Sequence, residues 1–132
     1  MPLQVITGSG GAVLALVPVT INGQGPYSFT LDTGASTSLV DKALVDRLNL
    51  PVVGRAQQVT GVTGSETARQ IRLDNWSIGS VQLPTTIATD LPLPASDVQA
   101  GMLGLLGSDV LSTFGAITVD YERQVLVLRS RQ

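Results

Sequence analysis

One carboxylate in this sequence stands where chemistry could use it. In the run "YSFTLDTGAS" (Tyr27–Ser36), Asp32 ends an apolar, strand-like stretch and is followed at once by Thr33 and Gly34. Carboxylates are seldom set deep in a core unless something there satisfies them or needs them. Thr33 offers a hydroxyl that donates and accepts, Gly34 permits a tight turn with an accessible N–H, and Ser36 adds a second donor. Such a loop can hold a carboxylate rigidly and supply hydrogen bonds that favour its ionised form. A single carboxylate so held does little. Two within hydrogen-bonding distance cannot both ionise, so one keeps a proton and the pair titrates as a unit. Water between them can lose a proton to one and attack a carbonyl polarised by the other. That is peptide hydrolysis without a metal or a side-chain nucleophile.

Composition removes most rival chemistries. The 132 residues contain no cysteine and no histidine. Disulfides, thiol nucleophiles, Ser-His-Asp triads and thiolate or imidazole zinc sites are therefore excluded. No second acidic residue lies near Asp32 in sequence, which argues against a carboxylate metal site; neither metal nor cofactor is expected. A net charge of −2, with no cluster of Lys or Arg, gives no field for a nucleic-acid backbone. The longest apolar run, "AVLALVPV" (Ala12–Val19), is interrupted by Pro18 and falls far short of the roughly 20 residues that span a bilayer. No membrane insertion by this segment is expected. No signal peptide is visible at "MPLQVITG". The localisation stays open between a cytosolic protein and a soluble part of a longer exported or anchored chain.

The elements that must position Asp32 are mainly β. The length fits a single domain, residues 1–132, and 43% hydrophobic against 14% charged residues marks it as globular. Glycine and proline recur at short intervals between β-rich segments. Val13–Ile21 and Tyr27–Leu31 read as a hairpin turning through Asn22–Pro26. After Asp32, Leu39, Val40, Ala43, Leu44 and Leu48 recur at helical spacing, with Ser38 and Asp41 as a capping box and Pro51 as a stop. Arg55–Leu73 reads as a projecting hairpin with the tip "TGVTGSE", and Trp76–Leu91 as two strands turning near Gly79. A Pro-rich loop (Asp90–Ala100), an apolar "GMLGLLG", a short helix over Ser108–Phe114 and a last hairpin through Ala116–Arg129 follow. Asp109 is expected to open that short helix as a favourable N-terminal carboxylate.

At four places the sequence resembles the retropepsin-like aspartic proteases, the retroviral-type branch of the pepsin superfamily. These are "FTLDTGAS", the later "GLLGSDVL", the "TGVTGSE" hairpin tip and the "ITVDY…VLVL" closing hairpin. The likeness runs from about Val13 to Leu128 and is nearest to bacterial single-domain members. It implies a closed β-barrel with one helix after the catalytic loop and a short C-terminal helix. It implies an aspartic endopeptidase acting on peptide or protein substrates, with Asp32 catalytic and Thr33, Gly34 and Ser36 supporting it. Gly61, Val62, Thr63 and Gly64 correspond to the flap over the substrate, and Leu105 and Leu106 to a pocket wall. Pepsin-like chains carry two D-T/S-G loops and this chain has one. The resemblance therefore implies a homodimer, with Asp32 facing its symmetry mate and Thr33 bonding across the two-fold axis. The alternative is a catalytically inactive retropepsin-fold module that binds peptides or dimerises.

Overall fold

Thr30 and Leu31 pair with Leu105 and Leu106, running in the same direction, and this parallel match organises the molecule. The computed structural model describes residues 3–7, 13–61 and 64–130. The first hairpin joins β2 (Val13–Ile21) to β3 (Gln24–Leu31), with β1 (Gln4–Thr7) on the other side of β2. Its turn is tighter than the sequence suggested. Asn22 and Gly23, at φ 53° and 75°, close it in two residues, since both accept the left-handed backbone that such a turn demands.

Beyond Asp32 the chain does not become helical at Ser38. Leu39–Asp41 form β4, and α1 covers only Lys42–Leu48, capped by a left-handed Asn49 before Pro51. Ser38 is no helix cap: its hydroxyl is engaged elsewhere, and Asp41 precedes the helix without a side-chain cap bond. β5 (Val52–Gly61) and β6 (Gly64–Leu73) form the expected projecting hairpin. The segment after it divides differently from expectation. β7 (Trp76–Ile78) and β8 (Val81–Gln82) make a very short hairpin, while Thr86–Leu91 form an independent strand, β9, inserted between β6 and β4. Ala95–Gln99, read from sequence as loop, form the helix α2, and β10 (Met102–Leu106) leads into α3 (Ser108–Leu111). β11 (Phe114–Asp120) and β12 (Val125–Ser130) close the chain as a separate two-stranded sheet.

The large sheet has the order β5-β6-β9-β4-β10-β3-β2-β7-β8. It is a path with two ends; no pairing among the described residues joins β5 to β8. Its inner face packs one core around Trp76, Phe29, Leu44, Ile71 and Leu106. Trp76 is 1% exposed and donates its indole N–H to the Pro84 carbonyl (2.9 Å), so its polar edge is satisfied. Leu126 of β12 reaches the same core, and Leu3 N–H donates to the Gln124 carbonyl (2.9 Å), docking the terminal hairpin. No described helix is long and apolar enough to cross a membrane.

Candidate active site

Because β3 and β10 are parallel neighbours in register, the loops that leave them emerge side by side. Asp32 follows Leu31 and Gly107 follows Leu106. The Asp32 N–H donates to the Leu106 carbonyl (2.9 Å), the last rung before the strands part. The Asp32 loop then lies on the chain leaving β10. Ser108 N–H donates to the Ala35 carbonyl (2.7 Å), and Thr89 N–H to the Ser38 carbonyl (2.9 Å). A β-carbon on Gly107 would stand 2.7 Å from the Ala35 oxygen and 3.0 Å from the Thr37 carbonyl. Only glycine lets the two backbones approach so closely.

Ser38 is the central tie. It is fully buried; its hydroxyl accepts from Gly107 N–H (3.0 Å) and donates to Asp109 Oδ1 (2.7 Å). Its own N–H donates to Asp109 Oδ2 (3.0 Å), while Val110 N–H donates to Asp109 Oδ1 (2.9 Å). Asp109 does stand in the first turn of α3, as expected, but its larger task is to clamp the loop that carries Asp32. Sequence reasoning missed both roles, because the partners lie 69 and 71 residues apart.

The carboxylate of Asp32 is treated differently. It is exposed, and Oδ1 accepts from Gly34 N–H (3.1 Å), the short-range bond the loop sequence predicted. Thr33 and Ser36 are exposed as well. Asp32 opens onto a cleft of about 360 Å³. That is near the lower end of the roughly 300–1,000 Å³ usual for ligand pockets. Leu105, read from the resemblance as a pocket wall, lines this cleft. Leu106 does not: its side chain is fully buried in the core, since neighbours on a strand point to opposite faces, and it serves the site through its carbonyl. Of the flap residues, Gly61 and Gly64 pair at the end of the β5–β6 ladder. Val62 and Thr63 lie outside the described residues.

Two further polar residues of the cleft were not singled out from sequence, Thr30 on β3 and Asp97 on α2. The position of α2 is set by Asp41, whose Oδ1 accepts from Leu93 N–H (3.0 Å) where β4 and β9 end together. Pro94 ahead of the helix and an acid in its first turn were the available signals. Among the described residues no group of three or more Asp, Glu, His or Cys could hold a metal ion.

An exposed aspartate on an Asp-Thr-Gly loop, floored by the parallel strand β10, defines a protein of the aspartic protease class. The profile of the family described as aspartyl protease matches residues 17–110, and the chain belongs to that family. Its fold is retropepsin-like. The crystal structure of a retropepsin-like aspartic protease from Rickettsia conorii aligns with a TM-score of 0.62 at 19% identity, over 96% of this chain and 99% of that one. No curated protein sequence matches the chain.

Proposed function

We propose that this protein is an aspartic endopeptidase, active as a homodimer in which Asp32 of each copy shares one proton and activates water. The observation that carries this reading is the unequal state of the two acids at the floor of the site. Asp32 is exposed at a cleft, whereas both oxygens of Asp109 are occupied by Ser38 and Val110. Asp109 is thereby spent as a brace, and the reading takes the second reactive carboxylate from a second copy of the Asp32 loop. With two such carboxylates close together, one proton stays on the pair at a pH where either alone would be ionised. The ionised member then takes a proton from water and the protonated member polarises the scissile carbonyl.

Gly34 N–H holds the orientation of the Asp32 carboxylate, with Thr33 bonding across the two-fold axis and Ser36 supporting the loop. The β5–β6 hairpin is the flap, its Gly61–Gly64 tip closing over an extended peptide and excluding water. The same reading takes the ten-stranded sheet as the curled barrel of the retropepsin fold.

Subunit mixing tests the proposal. Wild-type and Asp32→Asn subunits are co-refolded at varied ratios and assayed on a peptide library. A site shared between copies gives activity that falls as the square of the wild-type fraction; a one-chain site gives a straight line. A linear response, or cleavage by protein that sediments as a monomer, overturns the dimeric site. Wild-type protein that dimerises, cuts nothing in the library and still binds its peptides favours the non-enzymatic peptide-binding or dimerisation module instead.

A further inference from the structure

The cleft beside Asp32 holds two polar groups that the hydrolysis itself does not use. Thr30 is only 3% exposed, lines the cleft, and its Oγ1 has no hydrogen-bond partner among the described residues. A buried hydroxyl without a partner is costly to the fold, and in a native structure it calls for an explanation. Asp97, half-buried, brings a carboxylate to the same cleft from α2. Around them the surface is apolar, made by Leu14, Leu31, Met102 and Leu105.

The chemistry that fits such a wall is specific. A carboxylate only accepts hydrogen bonds, and a hydroxyl accepts as readily as it donates. An aliphatic side chain would satisfy the apolar wall and leave the Thr30 hydroxyl unpaired. An acidic one would meet the charge of Asp97. A side chain with an apolar stem and a cationic head, rich in donors, satisfies all three surfaces at once. Resting on the protease reading of this site, we propose that the cleft is a subsite for a lysine or arginine side chain flanking the scissile bond. Asp97 selects the charge and Thr30 receives one of its N–H groups.

The test begins with wild-type protein and a mixed peptide library, the products read by mass spectrometry. Lys and Arg are expected to be enriched, and Asp and Glu depleted, at one position flanking the cut; no such enrichment overturns the proposal. Peptides identical except for Lys or norleucine at that position then give a ratio of kcat/KM. Asp97→Asn is expected to lower this ratio on the order of tenfold, and Asp97→Lys to turn the preference toward Glu. A ratio unchanged in both variants overturns the role of Asp97. Thr30→Val separates recognition from folding. Loss of an unpaired buried hydroxyl is expected to raise the Tm by a few degrees while the Lys/norleucine ratio falls; an unchanged ratio removes Thr30 from the subsite.

A binding measurement keeps this proposal apart from the hydrolase reading. In the Asp32→Asn background, fluorescence anisotropy compares labelled Lys and norleucine peptides, with and without Asp97→Asn. A Lys preference that depends on Asp97 supports the subsite even if the wild type cuts nothing, which counts against hydrolysis alone. Cleavage with no preference for Lys or Arg counts against the subsite alone.

Discussion

Asp32 and Asp109 occupy comparable places, each just beyond the end of one of two parallel neighbouring strands, yet they are used in opposite ways. Asp109 is half-buried and accepts three hydrogen bonds, two from Ser38 and one from Val110. Asp32 is exposed and, among the described residues, accepts one, from Gly34 two residues on. A carboxylate saturated by donors is a structural strut, because further reaction would require giving up bonds already made. One held by a single backbone N–H keeps most of its lone pairs for water and for a neighbouring acid. The reactivity proposed for Asp32 rests on what the protein leaves undone around it, together with the rigidity supplied beneath it.

The largest expected effect is at the reactive side of that comparison. Asp32→Asn should lower peptide cleavage by roughly 10²–10⁴-fold, measured as kcat/KM, while leaving the urea midpoint close to wild type because the side chain is exposed. A comparable loss of stability would show that Asp32, too, is a strut. Asp109→Ala should do the reverse, destabilising the fold by about 3 kcal/mol as the buried Ser38 N–H and hydroxyl lose their acceptor. Chemical unfolding measures it, and an effect near zero would break the contrast. Gly107→Ala should cost about 2 kcal/mol, since its β-carbon meets the Ala35 oxygen at 2.7 Å. It should also lower kcat more than it raises KM, by displacing the floor under Asp32.

The smallest effect sharpens the comparison with a third carboxylate. Asp46 is exposed like Asp32, but hydrogen bonds from Arg69 (3.0 Å) and then Lys42 (3.3 Å) hold its pKa below the ordinary 3.8. A depressed folded-state pKa contributes stability that is present above the unfolded value and is lost as pH falls through the folded one. Urea midpoints followed downward from about pH 5 should therefore show a slightly shallower acid limb in Asp46→Asn than in wild type. An identical limb would mean that the pairing is too screened by solvent to matter.

What was legible in the sequence was local. The Asp32 loop, its Gly34 bond, the Val13–Leu31 hairpin and the β5–β6 arms all depend on residues close together in the chain. The errors fall where distant partners decide. Ser38 looks like a helix cap until Asp109 and Gly107 claim its hydroxyl, and the helix then starts at Lys42. Thr86–Leu91 looked like the return arm of a hairpin, but Arg69–Leu73 and Leu39–Asp41 recruit it between them. Its Asp90, 1% exposed, is received there by the Arg69 guanidinium, a pairing that no short stretch of sequence announces. Asp97 escaped notice for the same reason, since only the fold brings α2 to the mouth of the cleft.

The parallel union of β3 and β10 also has a consequence in time. A ribosome delivers the Asp-Thr-Gly turn early, but the strand and brace that support it arrive some seventy residues afterwards. Contacts between segments so widely separated form late in folding. A nascent or truncated copy therefore displays the aspartate without its foundation.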